Sequence, residues 1–136
     1  ASTDSGISSD DLSSPDASSD NTLVSEQALA AMGNIVYFDF DEATIRPDAR
    51  DILLVHAAYL KQTGKQVTLE GHADERGTRE YNMALGERRA KAVRDFLVIQ
   101  GVNRSQLGVV SFGEERPAAY ASNPTAWAKN RRVEIR

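Results

Sequence analysis

No cysteine occurs in the 136 residues. Its absence excludes disulfide staples, a thiol nucleophile and a Cys-ligated metal centre, and it says nothing about compartment. Histidine is scarce too. His56 and His72 are the only two, too few beside their neighbours for a convincing metal site. No apolar run approaches the roughly 18 to 20 residues that span a bilayer, and no signal peptide is visible. Missing as well are a GxSxG elbow, an HExxH pair and a phosphate-cradling glycine loop. Positive charge is absent from residues 1–22, which hold five Asp and neither Lys nor Arg. The whole chain carries −4, so residues 23–136 sum to about +1. A near-neutral domain does not fit a nucleic-acid binder driven by phosphate neutralisation.

The acidic start, ASTDSGISSDDLSSPDASSDNT, is mostly Ser and Asp with almost nothing to bury. Such a segment cannot offset its ordering entropy and is expected to be disordered. With Leu23 and Val24 it makes a tether over residues 1–24, leaving one domain over 25–136. A short helix from Leu23 to Met32 is expected, with Ser25 as N-cap and Gly33 as its end. Asn34 to Phe40 alternates in β-branched and aromatic residues and reads as a strand. A loop follows, then a helix from Pro47 to Thr63 closed by Gly64. Its apolar face holds Ala49, Leu53, Ala57 and Leu60, with His56 as a hydrogen-bonded core residue. Strands are expected at Gln66–Gly71, Gly108–Phe112 and Arg132–Arg136, with a helical turn near Trp127. The order β-α-β-α-β-β with right-handed crossovers predicts an α/β (α+β) two-layer sandwich. Its mixed sheet has about four strands, with the helices on one face.

Between the second strand and the long helix lies LEGHADERGTREYNMALGERRAKAV, residues 69–93. Gly71 and Gly77 bracket a turn carrying His72, Asp74, Glu75 and Arg76, more charge than a structural turn requires. Thr78 is the expected N-cap, so Asp74 stands at the positive end of a helix. At about 100° per residue, Tyr81, Ala84, Leu85, Ala92, Phe96 and Ile99 form an apolar stripe with Arg88 and Arg89 on its borders. Periodicity leaves two readings of those arginines: a buried stem with a wet guanidinium, or a guanidinium facing a cleft beside the turn and gripping a carboxylate. Asp39, Asp41, Glu42 and Asp74 could supply a glycosidase pair, but no apolar pocket that would raise one carboxyl's pKa is evident. Binding fits better than catalysis. A carboxylate and an arginine side by side suit a zwitterion.

Three segments carry a resemblance: FDFDEATIRPDA, then EGHADERGTREYNMALGERRAKAV, then AKNRRVEI. In order and spacing they resemble the OmpA-like peptidoglycan-binding domains, and among them the peptidoglycan-associated lipoprotein (Pal) family, over roughly residues 35 to 136. The resemblance implies a non-catalytic wall anchor without cofactor or metal that grips the meso-diaminopimelate of a stem peptide. Asp74 matches the aspartate that receives the ammonium. Arg89, rather than Arg88, matches the arginine that takes the carboxylate. Phe40, Asp41, Arg76, Thr78 and Leu85 match groove positions, the Thr78 amide or hydroxyl bonding stem-peptide oxygens. On a purely structural reading Phe40 and Leu85 are core, Asp41 a turn residue and Arg76 a surface charge. His72 packs against or hydrogen-bonds the turn, and Asn130, Arg131 and Arg132 brace the sheet edge near the groove.

The resemblance further implies a periplasmic monomer held to the inner leaflet of the outer membrane by an N-terminal lipid. It also implies TolB and other Tol-system proteins as partners, TolB meeting a surface that overlaps the groove. Family members begin, once mature, with a lipidated cysteine, whereas this chain begins Ala1-Ser2-Thr3-Asp4. The anchor is therefore expected to have been removed or replaced, or never to have been there. Other readings keep the fold within a porin or a flagellar stator protein. Different ones make the chain a wall hydrolase, or an interaction module that ignores the wall and holds TolB.

Overall fold

The computed structural model describes residues 23–136; the expected disorder of residues 1–22 lies outside them. Val24 is clipped to the helix over residues 47–63, its amide donating to Gln62 Oε1 (2.9 Å) and its carbonyl accepting from Gln62 Nε2 (2.6 Å). Helix α1 (Glu26–Met32) is capped by the Ser25 hydroxyl and ends at Gly33. Strand β1 covers only Ile35–Tyr37, less than the alternation to Phe40 predicts. The reason lies in its carbonyls. Those of Phe38 and Asp39 accept from the side chains of Arg131 (2.9 Å) and Arg89 (3.1 Å), so the backbone leaves the ladder there.

Helix α2 (Pro47–Thr63) starts on Pro47 and stops at Gly64 in the left-handed conformation, as the sequence predicts. His56 is buried on its core face with Nε2 2.7 Å from the Gly33 carbonyl. Strand β2 (Val67–His72) leads through the charged turn into α3 (Arg79–Ile99). A 3₁₀ turn at Arg104–Gln106 precedes β3 (Leu107–Gly113), and α4 (Pro124–Asn130) precedes β4 (Arg132–Ile135).

The four strands form one mixed sheet in the order β1-β4-β2-β3. β2 and β3, joined by α3, are parallel, with Leu69 opposite Val109. β4 lies between β1 and β2, antiparallel to both. Asn130 to Arg132 therefore enter a central strand rather than a sheet edge, which corrects the sequence expectation. Val36, Leu69, Val133 and Ile135 of the sheet meet Leu53 and Leu60 of α2 and Val93 and Leu97 of α3 in one core.

The inward stripe of α3 differs from the expected one. Asn82, Leu85, Gly86, Arg89, Ala90, Val93 and Leu97 are buried, whereas Tyr81, Ala84 and Ile99 are exposed. Hydropathy misplaces the stripe because three inward positions are polar or tiny. Asn82 and Arg89 satisfy themselves by hydrogen bonds. Gly86 permits close contact with β2: a Cβ on Gly71 would stand 1.8 Å from the Gly86 carbonyl oxygen.

Candidate functional site

Arg89 is the largest fully buried side chain, with no solvent exposure. It sits at the centre of α3's inward face, not on a border. Its Nε donates to the Glu42 carbonyl (2.8 Å), Nη1 to that of His72 (2.9 Å) and Nη2 to that of Asp39 (3.1 Å). One guanidinium thus pins the loop after β1 to the end of β2. One N–H on each of Nη1 and Nη2 is left unused by these bonds. Burial, and then the nearby Arg131 charge, lower its pKa to about 10, so it stays cationic at neutral pH.

Asp74 is 4% exposed. Its Oδ1 accepts from the Arg76 amide (3.0 Å) and Arg76 Nε (3.2 Å), and its Oδ2 from Arg76 Nη2 (2.8 Å). Arg131 Nη1 stands 3.6 Å away. Burial by itself would raise the Asp74 carboxyl. The Arg76 hydrogen bonds and the charges of Arg76 and Arg131 outweigh it and hold the pKa below the usual range. The Arg76 guanidinium lies between two rings, 4.0 Å from the centroid of Phe40 and 4.1 Å from that of Trp127. Trp127 is fixed in turn by its Nε1–H, which donates to Glu75 (2.8 Å).

These groups surround a cavity of about 230 Å³. Phe40 and Asp41 enter from the loop after β1, Asp74, Arg76 and Gly77 from the turn, and Tyr81, Asn82, Leu85 and Arg89 from α3. Asp41 has φ 58, unusual for a residue with a side chain, and accepts from the Tyr81 hydroxyl. Phe40 is 56% exposed and Leu85 is buried. Six of the seven expected site residues therefore line one cavity. The seventh, Thr78, does not; its hydroxyl accepts from the Tyr81 amide as the N-cap of α3. A larger hollow of about 510 Å³ lies beneath α1. Leu29, Leu60, Val67 and Ile135 help line it, and its charged groups, Glu26, Lys65 and Arg136, are exposed, whereas the buried acid and arginine, Asp74 and Arg89, belong to the smaller one.

Sequence reasoning missed Tyr81, Asn82, Gly77 and Trp127 as parts of the site. Tyr81 falls on the expected apolar stripe because it is aromatic at helical spacing, yet its ring is exposed at the cavity. Asn82 ties the turn by donating to the Arg76 carbonyl (3.0 Å) and to Glu114 (2.7 Å). Trp127 has no local signal, since only the path of β4 brings α4 beside the turn. Asn130 holds the segment before α4, its Oδ1 accepting from the amides of Ala118 (2.7 Å) and Ala119 (3.0 Å). Arg132 donates to Glu134 (2.6 Å) and to the Arg116 carbonyl (2.9 Å).

His72, 2% exposed, packs its ring 5.5 Å from that of Phe112. Neither ring nitrogen has a hydrogen-bond partner among the described residues. Burial, then the Arg132 charge, lower its pKa to about 4, against a smaller opposing effect of Glu134. Between pH 6.5 and 4 the unfolded chain binds the proton that the folded one refuses. The associated stability is whole above pH 6.5 and is lost as pH falls towards 4. From pH 7 to pH 5 this is worth about 2 kcal/mol. Urea unfolding at the two pH values should show that extra loss in the parent and not in His72→Phe, which keeps the ring stack. Equal losses in both proteins would refute it.

Residues 37–131 match the model of the OmpA family. The peptidoglycan-associated lipoprotein of Pseudomonas putida is 56% identical over 117 residues, spanning 86% of this chain and 70% of that protein. Its Pseudomonas aeruginosa counterpart is 55% identical, spanning 86% and 69%. Among solved structures, the peptidoglycan-associated lipoprotein of Burkholderia pseudomallei superposes with a TM-score of 0.73 at 43% identity, covering 75% of this chain and 87% of that one. Sheet, helices and sequence agree: the chain belongs to the OmpA family, and within it stands with the peptidoglycan-associated lipoproteins.

Proposed function

We propose that this protein is a non-catalytic peptidoglycan-binding domain of an outer-membrane lipoprotein. It grips the zwitterionic end of meso-diaminopimelate, Asp74 receiving the ammonium and Arg89 the carboxylate. The observation that carries this reading is that both residues, opposite in charge, line one small cavity. Two N–H groups of Arg89 are free of the loop carbonyls and fit a carboxylate. Asp41 adds a second acidic wall, while Phe40 and Leu85 supply apolar surface for the ligand's methylene chain. Arg89 is shielded from bulk water, so a carboxylate that reaches it goes deeper than water does, and binding includes a small opening of the cavity wall. The relatives named peptidoglycan-associated lipoproteins support the ligand class and the lipid anchor.

Each charged contact is worth about 1.5–3 kcal/mol. Individually weak, many such attachments hold a membrane to a wall reversibly. In the cell the domain works in the periplasm, tied to the outer membrane through residues 1–24, within the Tol–Pal system of envelope integrity and division. TolB competes with the wall for a surface that overlaps the cavity.

Co-sedimentation with purified diaminopimelate-type sacculi tests the reading. The parent is expected in the pellet, with folded Asp74→Asn and Arg89→Lys left in the supernatant. Equal pelleting of all three would move the site elsewhere. A parent that stays in solution would remove wall binding itself, and release of soluble muropeptides would make the protein a hydrolase.

A further inference from the structure

The carboxylate assigned to the ligand's ammonium is already taken. Both Asp74 oxygens are forked by Arg76, at 3.2 Å on Oδ1 and 2.8 Å on Oδ2. Arg131 approaches the same carboxylate at 3.6 Å. A third cation beside one buried carboxylate would meet two like charges in a poorly screened place. One of the residents has to yield. Arg131 is anchored, its Nε donating to the Phe38 carbonyl (2.9 Å) and its side chain only 15% exposed. Arg76 is the movable one. Its side chain is 33% exposed and rests on a turn at the surface. Besides Asp74, it is held by the rings of Phe40 and Trp127.

We propose that Arg76 sets the affinity and selectivity of this cavity by occupying the ammonium's position at Asp74, so that ligand binding is an exchange of one cation for another. The proposal rests on reading the cavity as a zwitterion site. A plain amine must displace Arg76 and gains only Asp74 in return. A zwitterion also gains the unused N–H groups of Arg89, and so wins the exchange. Arg76 further pins the Phe40 ring, which is one wall of the cavity, so its departure also loosens the shield over Arg89. The cost is affinity: a cavity with its own cation in place binds more weakly than an empty one, which suits attachments that must be released.

Trp127 is the only tryptophan, and its ring is one face of the Arg76 stack, so its emission reports where Arg76 is. The experiment is a titration of the full chain with a soluble muropeptide bearing a free diaminopimelate end, followed by calorimetry and by Trp127 fluorescence. In the parent, emission should change in step with saturation. Arg76→Gln should start from an altered emission, change little on titration and bind about tenfold more tightly. Arg76→Lys keeps the charge without the fork or the ring stack. It should fall between the two, and it carries the test if the glutamine variant does not fold. Saturation of the parent without an emission change, or unchanged or weaker binding by Arg76→Gln, would overturn the exchange and leave the zwitterion site standing. Failure of both parent and variants to take up the muropeptide would overturn the exchange together with the site beneath it.

Discussion

Arg89→Ala is expected to lose about 3–5 kcal/mol of folding stability, well beyond the cost of an ordinary helix substitution. Three backbone carbonyls, those of Asp39, Glu42 and His72, accept from this one side chain. Each buried acceptor left unpaired costs roughly 1–3 kcal/mol, less where water enters the space. An apolar replacement such as Arg89→Met fills volume but satisfies none of them, so it should not rescue. Arg89→Lys should recover part of the loss, because an ammonium on a flexible stem cannot face three directions at once. Arg88→Ala is the control. Arg88 is exposed and lies 5.5 Å from the Tyr81 ring, and its removal should change stability by no more than about 0.5 kcal/mol. Urea denaturation of the four variants decides the matter. Equal effects at 88 and 89 would mean that the loop after β1 stands without its arginine. The same side chain serves fold and ligand, so a loss of wall retention in Arg89→Ala is meaningful only beside its denaturation curve.

Gly71→Ala should be still more damaging, at about 4 kcal/mol or more, and is expected to give insoluble protein or a sharply lowered Tm. The added methyl would sit 1.8 Å from the Gly86 carbonyl oxygen and 2.6 Å from its carbon. Both are backbone atoms of a helix packed on the sheet, so no rotamer relieves the clash; α3 would have to move off β2. Gly86→Ala meets first the Ser111 hydroxyl, at 2.4 Å, then the Gly71 carbonyl oxygen at 2.9 Å. Part of that strain is relieved by turning Ser111, at the loss of its bond to the Met83 carbonyl (2.7 Å). Gly86→Ala is therefore expected to be the milder of the two, and thermal melts of both give the order. A Gly71→Ala protein with the parent's Tm would show that the helix and sheet are not held at this spacing.

Much of this fold can be read locally. Pro47 and Gly64 delimit α2, and Ser25 and Thr78 cap their helices, because each depends on neighbours in the chain. What cannot be read locally is where distant groups meet. The inward face of α3 hides behind Asn82 and Arg89, polar residues whose burial draws on partners in loops 32 and 47 residues away. Alternation extends β1 to Phe40, but arginines from α3 and from the C-cap of α4 take the carbonyls of Asp39 and Phe38. The cavity itself is partly visible in sequence. Asp74 and Arg76 stand out as excess charge in a turn, whereas choosing Arg89 over Arg88 required a resemblance, and the Trp127 wall required the path of β4.

That path has a consequence for when the protein can fold. The sheet's second strand in space is its last in sequence, and β1 has no other strand to pair with among the described residues. A chain emerging from synthesis carries Val36 and Phe38 without a partner strand until residues 132–135 arrive. The stretch from Ile35 to Ile135 must all be present before β1 can be zipped to β4, as expected for pairings far apart in sequence. Synthesis of residues 132–135 therefore sets the earliest moment at which β1 can join the sheet, and until then the segment that carries it remains threadable.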